Sequence, residues 1–268
     1  MNYKLVAVDL DGTLLTPELD ISDETIDAIR KVTHKNVMVT LSTGRMFLAA
    51  IPLAHELELD VPIITCNGAL TKCSRTGKVF DKKIIPKQHY SQIIKYCQNN
   101  GLSTSVYSDD EIFTHENSAN MDIHREMDIA KPRIISDMES LNGESVIKIL
   151  FNCNKKSKLN HHSEELYNAF KNKLTFYFSL PYFVEIVNKD ANKRTALENL
   201  CAKLNISRKE IIAIGDNFND LEMIRFAGLG VAMGNAPDYL KQEADFVTHS
   251  NDEDGVRYVL EKFVLKNN

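Results

Sequence analysis

The stretch Lys4-Leu5-Val6-Ala7-Val8-Asp9-Leu10-Asp11-Gly12-Thr13 decides the fold class and points to a site. Its apolar run, within residues 5–10, fits a strand buried on both faces of a parallel sheet. The run ends in two carboxylates, Asp9 and Asp11, followed by the turn residue Gly12. Strand side chains alternate between faces, so in a continuing strand Asp9 and Asp11 point the same way. Two anions aimed together are costly unless a cation sits between them. Magnesium takes hard oxygen ligands and leaves room for a substrate phosphate.

Working outward, Ser22 is placed to cap a helix with Asp23 and Glu24 in its first turn and Ile26, Ile29 and Val32 on its apolar face. Residues 36–42 read as a second strand, 46–57 as a helix and 61–66 as a third strand ending at Asn67-Gly68. Strands and helices alternating at this spacing predict a parallel sheet wrapped by helices. Between 83 and 188 the rhythm changes. Candidate strands at 103–107, 145–153, 175–179 and 183–187 alternate with candidate helices at 89–100 and 163–173. The first rhythm resumes near Asn192, with a helix through Leu204, a strand at 211–215, a helix at 220–226 and a strand at 229–231. Pro237 fits the first turn of another helix, and 252–263 reads as the last. The expectation is an α/β protein. Residues 1–82 and 189–268 form a Rossmann-like parallel sheet with helices on both faces. An α+β unit at 83–188 is inserted after the third strand, as suits a site where chain ends meet on a surface.

The 268 residues give ample material for a buried core, and 43% hydrophobic with 26% charged residues is the balance of a soluble globular chain. The net charge of −5 is spread without a basic stripe, which argues against nucleic acid as a partner. Five cysteines, none in a Cys-x-x-Cys pair, argue against a disulfide framework or a zinc ribbon and for a reducing cytoplasm. No apolar stretch approaches the roughly 18 residues of a membrane span, and the chain enters a strand directly rather than through a leader. No obligatory protein partner is evident.

Three further clusters join the first. Ser42-Thr43-Gly44-Arg45 closes the second strand, with a hydroxyl at Thr43 and a close backbone approach at Gly44. Lys193, at the start of the returning helix, is a mobile point charge suited to phosphate. Gly215-Asp216-Asn217-Phe218-Asn219-Asp220 follows another apolar strand. In open parallel sheets ligands bind beyond the carboxyl ends of strands, where three of these clusters lie. The residue types fit hydrolysis of a phosphate monoester. Magnesium between Asp9, Asp216 and a phosphate oxygen reduces the repulsion of a nucleophile. Thr43, Lys193 and Asn219 are suited to hold the remaining oxygens. One carboxylate then attacks phosphorus while another moves protons.

Asp9-x-Asp11-Gly-Thr, Thr43-Gly-Arg45, Lys193 and Gly-Asp216-x-x-Asn219-Asp220 resemble the four motifs of the haloacid dehalogenase superfamily. Cys66-Asn67-Gly68-Ala69, Met233-Gly234-Asn235-Ala236 and Asp254-Gly255-Val256 resemble its Cof-type branch of sugar-phosphate phosphatases. The resemblance implies a magnesium-dependent phosphatase of small phosphorylated metabolites. In it Asp9 is the nucleophile and forms an aspartyl-phosphate. Asp11 is the acid/base and lends the metal its backbone carbonyl. The Leu10 N–H touches phosphate, Asp216 holds the metal, and Asp220 supports the metal from behind. The inserted unit would be a C2-type cap that closes over substrate. Arg194 stands where that family commonly has a glycine after the lysine.

Several residues carry a plainer reading as well. Arg45 is either a phosphate fork or an ion pair that orients its loop. Asn67 either touches ligand or shapes a turn. Glu185 either lines a cleft or faces solvent from a strand, and His161-His162 reads as a solvated helix start. Phe218 and Met223 read as core. A phosphomutase, a non-catalytic phospholigand-binding module and a response-regulator receiver are the competing functions. The last is a shorter domain with no need of a large insertion.

Overall fold

A computed structural model describes residues 2–115, 131–141, 145–153, 155–179 and 183–266. The chain forms two compact units: Met1–Arg45, Ala50–Asp81 and Asn192–Asn268 in one, Met46–Ala49 and Lys82–Ala191 in the other. It runs first through β1 (Leu5–Val8), α1 (Asp23–His34), β2 (Met38–Leu41), α2 (Phe47–Glu56), β3 (Pro62–Thr65), β4 (Leu70–Cys73) and β5 (Val79–Lys82). The second unit follows with α3 (Lys87–Asn99), β6 (Ser103–Tyr107), β7 (Ile112–Thr114), β8 (Arg133–Ile134), β9 (Lys148–Asn152), α4 (Lys156–Phe170), β10 (Leu174–Ser179) and β11 (Phe183–Asn188). The chain returns through α5 (Lys193–Leu204), β12 (Ile211–Gly215), α6 (Leu221–Phe226), β13 (Leu229–Ala232), α7 (Asp238–Glu243), β14 (Phe246–Val247) and α8 (Gly255–Leu260).

The first unit is built on a parallel sheet in the order β14-β13-β12-β1-β2. Alternation along β1 and β12 splits their side chains between two faces. Leu5, Ala7, Ile211 and Ala213 pack with Leu197 and Leu200 of α5. Val6, Val8, Ile212 and Ile214 point the other way and are fully buried too. Burial of a large apolar side chain contributes about 1.5–3 kcal/mol, so these strands are the anchor of the unit. α1 starts where expected, with the Ser22 hydroxyl accepting the Thr25 N–H at 3.2 Å and Ile26, Ile29 and Val32 buried.

The third strand behaves differently from the expectation. β3 meets the β2 side of the sheet through a parallel bridge, Ser42 to Ile64, and then turns back into antiparallel β4. The turn is made by Cys66, Asn67 and Gly68, all at positive φ (50°, 54° and 90°). β4 and β5 therefore precede the second unit, which is not entered directly after the third strand. The last helix is also broken: Asp254 sits at φ 55°, between a single turn at Asn251–Glu253 and α8.

The second unit is a sheet in the order β10-β11-β9-β6-β7-β8, antiparallel except between β7 and β8. Val106, Ile149, Phe151, Val184 and Ile186 share one core with the buried faces of α3 and α4. Lys148 and Glu185 are buried as well, in contact at 3.3 Å, and the Lys148 ammonium lies 4.3 Å from the Tyr107 ring centre. The solvent-facing reading of Glu185 is therefore wrong. α4 begins at Lys156, which places His161 and His162 inside a helix rather than at its start. Met223 is core, as expected, but Phe218 is 64% exposed and stacks on Tyr239. Among the described residues no helix is long and apolar enough to cross a membrane.

Candidate active site

The sheet order reverses at β1 and β12: the chain steps from β1 to β2 on one side, and from β12 to β13 and β14 on the other. Such a reversal opens a crevice beyond the strand ends. Asp9 follows β1 and Asp216 follows β12. Lys193 is the first residue of α5, whose start is set by the Asn192 side chain accepting the Thr195 N–H at 2.7 Å. Gly68 permits this placement, because a Cβ there would lie 2.3 Å from the Asn192 carbonyl oxygen.

Lys193 is fully buried, and its ammonium donates to Asp9 Oδ1 and Asp220 Oδ1, each at 2.5 Å. The second oxygen of Asp220 accepts the N–H groups of Asp216 and Asn217, at 3.1 and 3.0 Å. Asp216 accepts the Thr13 hydroxyl at 2.9 Å. Gly12, at φ +78°, passes so close to Asp216 that a Cβ would stand 2.5 Å from its Oδ2. Oxygens of Asp9, Asp216 and Asp220 all lie within 4.8 Å of one another. Three carboxylates thus share one buried lysine.

The electrostatics follow from that count. Burial first, and then the charge of Asp220, push the Asp9 carboxyl well above the usual range, against the pull of Lys193. Asp216 is pushed up to about 6 by burial and by Asp220, with the Thr13 hydroxyl opposing. Burial alone would lower the Lys193 ammonium, but Asp220 and Asp9 more than offset it and keep the lysine charged.

Asp11 does not join this group. β1 ends at Val8, and the chain turns as the Leu10 carbonyl accepts the N–H groups of Thr13, Leu14 and Leu15 at 3.2, 3.0 and 2.9 Å. The two-residue alternation therefore breaks, and the expectation that Asp9 and Asp11 point the same way fails. Asp11 is half-exposed and held by the Arg45 fork, with Nη2 to Oδ1 at 2.6 Å and Nε to Oδ2 at 3.0 Å. Arg45 thus makes the loop-orienting ion pair. Leu10 is wholly buried.

The second and fourth clusters meet through Asn67. Its N–H donates to the Thr43 carbonyl at 3.0 Å, and its side-chain oxygen accepts the Asn219 amide at 2.9 Å. Thr43 is buried, and its hydroxyl accepts the Arg45 N–H at 3.0 Å. Gly44 lies against the Asn67 amide, 3.3 Å from the place of its Cβ. Sequence reasoning assigned no role to Thr13, Asn192 or Asn235. Thr13 and Asn235 stand inside the motifs and Asn192 beside Lys193, which was the only signal, and their partners are set by the fold. The buried lysine among hard oxygen donors, at a strand-end crevice, is suited to binding and activating an anionic group.

Comparison with known proteins shows the family. The family of haloacid dehalogenase-like hydrolases matches residues 6–260. The chain is 34% identical over 266 residues to the 5-amino-6-(5-phospho-D-ribitylamino)uracil phosphatase YcsE of Bacillus subtilis, covering 99% of this chain and 97% of the relative. It is 32% identical over 287 residues to a second Bacillus subtilis phosphatase of that description, YwtE, covering 97% and 98%. A crystal structure of a haloacid dehalogenase-like hydrolase from Bacteroides thetaiotaomicron superposes with a TM-score of 0.90 at 31% identity, covering 97% of this chain and 99% of that one. The chain is therefore a phosphatase, and it belongs to the haloacid dehalogenase-like hydrolase family, in its Cof-type branch.

Proposed function

We propose that this phosphatase hydrolyses small phosphorylated metabolites, sugar phosphates foremost, with magnesium and through an aspartyl-phosphate on Asp9. The observation that carries the reading is the buried Asp9 carboxylate at the end of β1, held by Lys193 and facing Asp216 across the sheet reversal. The donor set suits a hard divalent cation, since carboxylate oxygens outnumber the one lysine beside them. Asp220 has both oxygens engaged by Lys193 and backbone N–H groups, which supports a bracing role. Asp9, Asp216 and the Asp11 backbone carbonyl would hold the ion. When bound, magnesium supplies the positive charge that draws the phosphate dianion to a carboxylate.

In the first step an Asp9 oxygen attacks phosphorus and the bond to the ester oxygen breaks. The Asp11 carboxyl gives that oxygen a proton, and the alcohol leaves. In the second step water attacks phosphorus while the Asp11 carboxylate takes its proton. The Asp9–phosphorus bond breaks and inorganic phosphate is released. Lys193 keeps Asp9 oriented and offsets its charge. Thr43, Gly44, Asn219 and the Leu10 N–H would bind phosphate oxygens, and Arg45 would do so on leaving Asp11. The setting is the cytoplasm, in keeping with five cysteines that form no disulfide.

Two relatives are named for a phosphorylated ribityl group on a pyrimidine. Phosphorylated sugar alcohols therefore belong beside sugar phosphates in a first screen. The test is a panel of phosphorylated metabolites ranked by kcat/KM with and without magnesium. Efficient magnesium-dependent release of inorganic phosphate supports the reading. Isomerised sugar phosphate in place of inorganic phosphate, or binding without turnover across the panel, contradicts it.

A further inference from the structure

The Met233-Gly234-Asn235-Ala236 and Asp254-Gly255-Val256 segments flank β14, and the mechanism leaves both without a part. Asn235 extends from the first of these to the turn after β1. Its Nδ2 donates to the Gly12 carbonyl at 2.8 Å, and its Oδ1 accepts the Asn251 N–H at 3.1 Å. Asn251 in turn donates from Nδ2 to the Leu15 carbonyl at 2.8 Å. Gly12 follows Asp11 directly, and Leu15 faces Asp11 in a parallel bridge. Two asparagines therefore hold both sides of the turn that carries Asp11.

The brace is itself anchored. The Gly234 N–H donates to the His249 carbonyl at 2.9 Å, and a Cβ on Gly255 would stand 2.3 Å from that same oxygen. Asp254 accepts the hydroxyls of Ser22, at 2.6 Å, and of Thr25, at 3.2 Å, at the start of α1. Asn235 is exposed, so water satisfies both partners when its hydrogen bond is lost, and the bond adds little to stability. Its effect falls on geometry instead. A reacting group displaced by about 1 Å costs about 10²-fold in rate.

We propose that Asn235, backed by Asn251, is a positioning residue for proton transfer by Asp11. It fixes the Gly12 peptide, so that the Asp11 carboxyl reaches the leaving oxygen once Arg45 has turned to phosphate. The inference rests on the reading of Asp11 as the acid/base.

The test compares Asn235→Ala and Asn235→Asp with the unmodified enzyme on two magnesium-loaded reactions. One ester is an alkyl phosphate, whose alkoxide must be protonated to leave. The other is an aryl phosphate with an acidic phenol, which leaves unaided. Single-turnover release of alcohol or phenol isolates the first step. Asn235→Asp keeps an oxygen for the Asn251 N–H and sets an anionic acceptor, in place of a donor, against the Gly12 carbonyl, while Asn235→Ala removes the donor without adding charge. Both variants should release the alkyl alcohol about tenfold more slowly and the phenol within about twofold of the parent, with KM held within about twofold. Equal losses on the two esters, or none on either, overturn the proposal. A second readout does not depend on turnover: amide exchange at Leu14 and Leu15 should quicken about tenfold in Asn235→Ala with the melting midpoint unchanged. Unchanged exchange there overturns the brace. An unmodified enzyme that releases neither alcohol nor phenol defeats the phosphatase chemistry alone, and the exchange result then decides the brace.

Discussion

Both units bury a lysine against carboxylate, and the two arrangements differ in charge. Among the described residues Lys148 meets Glu185, with the Tyr107 ring beside its ammonium. Lys193 meets Asp9 and Asp220 at shorter distances, with Asp216 close by. The first matches lysine to acid one to one among the described residues and sits in a sheet whose opposite face is an apolar core. The second has more acid than its lysine neutralises, at the point where a parallel sheet opens. A buried one-to-one pair is often exchangeable for hydrocarbon at small cost, whereas an excess of buried carboxylate is met by a further cation or by protonation.

The largest effect expected from breaking the contrast is at Lys193. Lys193→Ala leaves two buried carboxylates without their partner and should destabilise the fold by about 3–5 kcal/mol, read from denaturant midpoints. A loss below about 1 kcal/mol would mean that the lysine is not the counter-charge of the site.

Next in size is the response to metal and pH. The Asp216 carboxyl, pushed up to about 6, is harder to ionise in the metal-free fold than in the unfolded chain. A raised acid stabilises the fold below its unfolded value, near pH 4, and that contribution is lost as pH rises through about 6. Melting of the metal-free protein should therefore fall across this window. Magnesium at about a hundred times its dissociation constant should restore about 2.7 kcal/mol above it. Asp216→Asn should flatten the pH dependence and weaken the magnesium response. A metal response unchanged by that substitution would contradict the assignment.

The smallest effect sharpens the other half of the comparison. The double variant Lys148→Met with Glu185→Leu should hold stability within about 1 kcal/mol or raise it, whereas Lys148→Ala alone leaves Glu185 buried and costs about 3 kcal/mol or more. Equal losses in the single and double variants would show that the pair does more than balance itself.

Much of this was readable in the chain before any coordinates. β1 and β12 are continuous apolar runs, and such runs need no partner to be recognised. The acids at their ends and the sheet reversal bring Asp9 and Asp216 together from residue type and order alone. β4, β5, β7, β8 and β14 escaped because none is longer than four residues, and all but β14 mix polar with apolar residues. Phe218 was misplaced because hydrophobicity says nothing of which side of a tight turn is wet. The Lys148–Glu185 pair and the Asn235–Gly12 contact depend on strand register and loop packing between distant segments, for which a single sequence carries no local signal.

The most direct test of the central claim is to trap the enzyme during turnover. Rapid acid quench with a magnesium-loaded enzyme and a good phosphate ester, followed by peptide mass spectrometry, should find one phosphoryl group on the peptide containing Asp9. Asp9→Asn should show none and should lose at least about 10⁴-fold in kcat while keeping its melting midpoint. Steady phosphate release with Asp9 never phosphorylated, or substantial metal-dependent turnover by Asp9→Asn, would contradict the account.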